Sequence, residues 1–141
     1  MRELTKPGGV VAVRDADFGS SHGFPMSAGL TAWLSLYYAL ARSNGGEPDA
    51  GRRLLSWAHE AGFDDVTPSA SVWCFATPDE RKWWGELWAD RVTQSTFAEQ
   101  SLETGLASEQ DLQNIADAWR VWSRDRSGWV AILHGEIVAR A

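Results

Sequence analysis

The sequence predicts a mixed α/β fold built on three strands, and three observations predict it. Apolar runs bounded by turn residues occur at positions 10–13, 65–75 and 129–139. Between them, apolar residues recur at helical spacing. Capping residues and glycines mark where those helices start and stop. The order is strand, two helices, strand, three helices, strand, read as a single domain over residues 1–141.

Each element has its own signal. Lys6-Pro7-Gly8-Gly9 is a turn. Val10-Val11-Ala12-Val13 follows and ends at Arg14-Asp15. An all-apolar run of this kind reads as a strand buried on both faces. Residues 17–23, with their glycines and serines, read as a loop. Ser27 is placed to cap the first helix, on which Leu30, Trp33, Leu34, Tyr37 and Ala41 share a face. Asn44-Gly45-Gly46 stops it. A second helix follows Pro48-Asp49, with Leu54, Trp57, Ala58 and Ala61 on one face and Gly62 just past its end. Residues 65–75 form the next strand, and Pro68 marks it as an edge. Thr77-Pro78-Asp79-Glu80 supplies a cap, an N1 proline and a capping-box glutamate. That third helix runs through Trp84, Leu87, Trp88 and Arg91. A fourth helical stretch runs from about Ser95 to Gly105. Ser108 and Asp111 open a fifth, carrying Leu112, Ile115, Ala116, Trp119 and Trp122. The last strand contains His134-Gly135, read as a bulge within one long strand.

Composition narrows the function. The net charge is −6, so the surface lacks the basic excess that nucleic acid or an anionic membrane would need. No apolar run approaches the roughly 18 residues of a membrane span, and MRELTKPGG has no apolar signal region. The one cysteine, Cys74, is expected as a buried thiol in the core. A cytoplasmic location is the resulting expectation. Nine tryptophans imply either an aromatic core or an aromatic-walled cavity. No His or Cys pair has metal-ligand spacing and no Gly-x-Ser-x-Gly is present, so neither a metal centre nor independent hydrolase chemistry is expected.

Several of these segments, taken in order, carry a family resemblance. Leu4-Thr5-Lys6-Pro7-Gly8-Gly9 resembles the Leu-x-Pro-Gly-Gly turn before the fifth strand of class I S-adenosylmethionine-dependent methyltransferases. Ala61-Gly62-Phe63-Asp64-Asp65-Val66 resembles the Ala-Gly-Phe turn that leads into their sixth strand. The stretch from Asn44 to Leu54 is similar to the ubiquinone/menaquinone-biosynthesis type of these enzymes. The final apolar run then corresponds to the seventh strand. The resemblance implies a partial Rossmann-like methyltransferase fold. Its three-stranded mixed sheet would have the order first–last–middle, with the last strand central and antiparallel, and about five helices around it.

The same resemblance sets expectations for function. The full-length family transfers a methyl group from S-adenosylmethionine to a small acceptor, here of aromatic or lipidic character. It holds the cofactor over a Gly-x-Gly-type loop at its first strands, with an acidic residue on the ribose. In this sequence no Gly-x-Gly stands between a strand and a helix. The chain is therefore expected to be the carboxy-terminal, acceptor-side part, lacking the cofactor-binding half. It is expected to bind no cofactor and to be inactive alone. The alternative is a non-catalytic small-molecule-binding or dimerisation module. The first strand would then present an unpaired edge, which leads to an expected homodimer.

Candidate acceptor-binding residues fall in two places. The segment after the first strand carries Arg14, Asp15, Asp17, Phe18, His22 and Phe24, and in the family such a loop faces the acceptor. Within it Arg14, Asp17 and His22 are the substrate-binding candidates. His22 is the best titratable one or else an exposed loop histidine. Asp15 and Asp17 form a carboxylate pair or metal corner, or else serve as turn formers. Trp84, Trp88 and Arg91 share a helical stripe that would roof an acceptor pocket or pack against the sheet. Arg52 and Arg53 read as a solvated helix start or as partners of Glu47 and Asp49.

Overall fold

The computed structural model describes residues 2–141. Those residues form three strands, five α-helices and two 3-10 turns. They fold as two compact units. One holds residues 2–21, 48–73 and 131–141, and the other holds residues 22–47 and 74–130.

The first unit holds most of the sheet. The strands are β1 (Val10–Phe24), β2 (Asp65–Phe75) and β3 (Trp129–Arg140), in the order β1–β3–β2. Gly8 N donates to Ala141 O at 2.7 Å and Ala141 N to Gly9 O at 3.0 Å, so the start of β1 lies beside the end of β3. Arg140 Nε reaches Asp65 Oδ2 at 3.8 Å, which puts the start of β2 there too. The last strand is therefore central and antiparallel to both neighbours, as the resemblance implied. Pro68 sits on β2, an edge strand, as expected for a proline within a sheet.

β1 is longer than its apolar run. Residues 17–23, expected as a loop, lie within the strand. Tertiary bonds override the turn-like composition: Phe18 N donates to Pro48 O at 3.0 Å and Gly19 N to Asp49 Oδ1 at 2.6 Å. Nor is β1 buried on both faces. Val10 is 52% exposed, whereas Val13 packs on Leu54, Ala58 and Ile137. The cause is its place at a sheet edge with helix α2 (Leu54–Glu60) against that inner side. Cys74, expected in the core, is exposed for a related reason: it lies on edge strand β2.

β3 runs unbroken through His134-Gly135. Its buried residues are Val130, Ile132 and His134, then Ile137 and Ala139. The change of phase does not need an extra residue. Ile137 faces Val13, while Glu136 pairs with Arg14, the next residue of β1. Side chains thus keep alternating, and what changes is the face that is covered. Gly135 is required for another reason. A Cβ there would lie 1.9 Å from the carbonyl oxygen of Gly51, on the 3-10 turn Ala50–Arg53. Two backbones meet where neither can carry a side chain.

The second unit is helical. Its helices are α1 (Ala28–Ser43), α3 (Pro78–Gln94), α4 (Thr96–Glu103) and α5 (Glu109–Arg124). The expected caps are in place: Ser27 accepts from Leu30 N, and Thr77 with Glu80 and Ser108 with Asp111 close capping boxes. Helix α3 packs on α5 with close backbone approach, since a Cβ on Gly85 would stand 2.6 Å from Ser123 Cβ. The core between α1, α3 and α5 is tryptophan. Trp33 meets Trp88 and Trp119 edge-on at 4.7 and 4.9 Å, and Trp119 meets Trp122 at 5.4 Å. Edge-to-face contacts suit the ring quadrupoles and add to area burial.

Candidate functional site

The sheet of the first unit carries a cluster of polar and aromatic side chains at its middle. Arg14 projects from β1, Ser69, Ser71 and Trp73 from β2, and His134 and Glu136 from β3. The spacing by two along each strand puts them on one face. Arg14 Nε pairs with Glu136 Oε1 at 3.2 Å, and Arg14 Nη2 donates to Ser71 Oγ at 2.9 Å. Ser71 and Ser69 donate to the two Glu136 oxygens at 2.6 and 3.0 Å. These hydroxyls, first that of Ser71, hold the Glu136 carboxyl below its usual range. The Arg14 guanidinium lies over the Trp73 ring at 5.3 Å, and the His134 ring packs on the same indole at 4.2 Å.

His134 is 4% exposed, and burial lowers its pKa. Its Nδ1 lies 3.1 Å from Ile132 O. A carbonyl can only accept, so Nδ1 carries the proton and Nε2 the lone pair. The consequence for stability has a definite sign. An unfolded histidine protonates near pH 6.5, and the folded one only at lower pH. Between those two values the unfolded chain holds a proton that the folded chain does not. Stability is expected to fall as pH drops through about 6.5. Urea midpoints measured from pH 5 to 8 check this, and His134→Phe should flatten the slope between pH 5 and 7. A slope unchanged in that variant would assign the effect elsewhere.

The six expected site residues are dispersed. Arg14 belongs to this cluster. Asp17 is fully buried and fully used: it accepts from Arg52 Nε at 2.6 Å, Arg52 Nη2 at 2.5 Å, Arg52 N at 3.2 Å and Ser20 N at 3.0 Å. The bonds from Arg52 lead in holding its carboxyl below the usual range. These bonds come from Arg52 and Ser20, so Asp17 serves as the buried partner of Arg52. Among the described residues no group of three His, Cys, Asp or Glu side chains is placed to hold a metal ion. His22 is exposed at the far end of β1, in the second unit, on a strand rather than a loop. Trp84 and Trp88 are 5% and 1% exposed and form core. Arg91 lies over Trp88 at 4.8 Å. Trp88 packs on Trp33 of α1 and Trp119 of α5 rather than on the sheet, and Arg91 is exposed.

Trp73, His134, Glu136, Ser69 and Ser71 carried no single-residue signal. A pattern was present: Ser69-x-Ser71-x-Trp73 and His134-x-Glu136 put polar groups at strand period inside apolar runs.

The sheet topology is that implied by the methyltransferase resemblance, and sequence comparison also finds similarity to a methyltransferase. Over 143 residues the chain is 35% identical to an uncharacterized methyltransferase of Schizosaccharomyces pombe, a match covering 98% of this chain and 49% of that protein. The chain spans about half the length of the curated relative it matches. This similarity supports membership of a methyltransferase family. No family model matches the chain.

Proposed function

We propose that this chain forms the acceptor-side end of an S-adenosylmethionine-dependent methyltransferase, and that residues outside it hold the cofactor. The observation that carries this reading is the strand order β1–β3–β2 with β3 antiparallel. It corresponds to the fifth, seventh and sixth strands of the class I sheet, of the ubiquinone/menaquinone-biosynthesis type. The relative's description as a methyltransferase and its greater length agree with it. The reaction would be methylation of a small aromatic or lipidic acceptor, in the cytoplasm. No described helix is long and apolar enough to cross a membrane.

The residues present do not fit the cofactor. A cofactor of this kind is held where a strand turns into a helix and leaves backbone N–H groups free. Two helices here follow strands, α1 after β1 and α3 after β2. Ser27 occupies the start of α1 and accepts from Leu30 N. At α3, Thr77 and Glu80 satisfy the end groups, and Glu80 accepts from Ala76 N and Thr77 N at 3.1 and 2.9 Å. That carboxylate disfavours a second anion such as the cofactor's own carboxyl. The described glycines with positive φ are Gly8, Gly45, Gly62 and Gly105, and none stands between a strand and a following helix. Calorimetry with S-adenosylmethionine on the whole chain tests the proposal. The expected result is no binding tighter than about 100 μM, roughly −5.5 kcal/mol. Tighter binding would overturn the division of labour proposed.

A second reading, a dimerisation module, is favoured by the outer edge of β1, which has no strand neighbour among the described residues. Light scattering is then expected to give a homodimer at micromolar concentration, and a clean monomer would remove it.

A further inference from the structure

We propose that Arg81 is the seat of a binding site for a small-molecule carboxylate, at the point where the start of α3 meets the turn that follows α5. The carboxylate would accept from Arg81 Nη2 and supply the charge that this guanidinium lacks.

All the residues involved lie in the helical unit. Arg81 is 7% exposed and cannot shed its proton. A buried charge normally has a partner of opposite sign, because leaving water is costly unless pairing offsets it. Among the described residues Arg81 has none. The one hydrogen bond of its side chain runs from Nη1 to the carbonyl oxygen of Ala76. Nε is buried with no acceptor. Nη2 is not bonded either, and it is open to solvent. Trp84 Nε1 is a second buried donor without an acceptor, three positions on along the same helix face. This side of α3 is short of acceptors.

The neighbouring acids do not make up the deficit. The turn after α5 runs against the Arg81 stem, since a Cβ on Gly128 would stand 2.6 Å from Arg81 Cδ. The Trp122 and Asp125 carbonyls there already accept from Asp125 N and Gly128 N. The Asp125 carboxyl accepts from Ser127 N at 2.7 Å. Glu80 precedes Arg81, but successive residues point about 100° apart around a helix, and its carboxylate is held by Ala76 N and Thr77 N. Two further cations on the turn, Arg124 and Arg126, are exposed and form no ion pair among the described residues.

Charge and space define the ligand. One guanidinium is balanced by one negative charge, which a carboxylate carries. Phosphate at neutral pH brings a larger charge to a protein whose net charge is already −6. A flat pair of oxygens also matches the flat edge of the guanidinium formed by Nη2 and Nε. Since only Nη2 is open, the group must be compact and borne on a small molecule.

Binding is measured without any methyl donor, so its failure and that of the methyltransferase role are separate results. The probe is acetate, with chloride at equal ionic strength as the control. In nitrogen-15 spectra of the unmodified chain, the Arg81 Nε resonance, assigned through its own side-chain carbons, is expected to move with acetate and to saturate. Half-saturation should fall at about 1 to 10 mM, the weak affinity of one charge-assisted contact. Phosphate should bind more weakly than acetate. The urea midpoint of the unmodified chain should rise with acetate. That of Arg81→Met, which keeps an apolar stem and drops the charge, should not. Without acetate the variant's midpoint should be no lower than that of the unmodified chain. A resonance that stays put up to about 100 mM acetate, or moves as much with chloride, would overturn the site. Tighter binding of phosphate would overturn the assignment to a carboxylate. A resonance displaced by Asp125→Asn with no anion added would overturn it too, since Asp125 would then already be the partner.

Discussion

Replacing Trp88 with alanine is expected to lower the unfolding free energy by about 4 kcal/mol, within the range for truncating a core tryptophan. The side chain is 1% exposed and its ring touches five others: Trp33 at 4.7 Å, Tyr37 at 5.9 Å, Trp84 at 6.0 Å, Phe97 at 6.2 Å and Trp119 at 6.4 Å. Rigid aromatic neighbours cannot collapse into the void, so the cavity term should be near its upper end. Trp88→Phe is expected to behave differently. The indole Nε1 of Trp88 is buried without a hydrogen-bond partner, as are those of Trp84 and Trp119. Phenylalanine removes that unsatisfied donor along with part of the ring, so its cost should stay below about 2 kcal/mol. Urea denaturation of both variants measures the two effects. Similar losses would mean that the donor is satisfied in solution.

Replacing Arg52 with alanine is expected to cost about 3 kcal/mol, the lower end for stranding one member of a buried pair. The asymmetry of the pair predicts an asymmetry of its variants. Asp17 is 0% exposed and Arg52 is 51% exposed. Losing the Arg52 side chain leaves a carboxylate inside the fold with the Ser20 hydroxyl and the Ser20 and Arg52 backbone N–H groups but no counter-charge. Losing the carboxylate leaves a guanidinium that water already reaches. Asp17→Asn should therefore cost less than Arg52→Ala, about 1 to 2 kcal/mol. The double variant should recover part of the Arg52→Ala loss. The lowered pKa of Asp17 gives the pH sign. Its contribution is full above the ordinary aspartate value near 3.9 and is lost as pH falls through the lower folded value. Denaturation midpoints for the single and double variants would settle the ordering, and equal losses from the two single variants would contradict it.

The local elements were legible because their signals are local. Thr77, Pro78 and Glu80 sit within four positions of one another, and together they leave the backbone few alternatives to starting α3 there. The bounds of β2 and the stops at Asn44, Gly62 and Gly105 follow for the same reason. Strand order was legible only through the family resemblance, since nothing in residues 10–13 says which strand lies beside them. What failed was whatever depends on distant partners. The Gly19-Ser20-Ser21 stretch looked like a loop because its extended form is fixed by Pro48 and Asp49, some 30 positions away. Asp17 looked like a turn residue because Arg52 lies 35 positions on. The cluster around Trp73 needed the register of three strands before its members could be seen as neighbours. Trp84 and Trp88 had the spacing of both a pocket wall and a core, and only the packing partners on α1 and α5 decide between those.

The central position of β3 bears on how the chain is made. During synthesis β1 and β2 leave the ribosome before the segment that pairs with both of them, which comes from residues 129–140. Helices α3, α4 and α5 occupy a continuous stretch and can pack as soon as residue 124 emerges. The sheet closes afterwards, in one step that satisfies two edges together. Such late, long-range pairing is slow and leaves strand edges open to other chains in the meantime. Shortening or mutating the last strand would then affect yield and aggregation in the cell before it affected anything measurable in the folded protein.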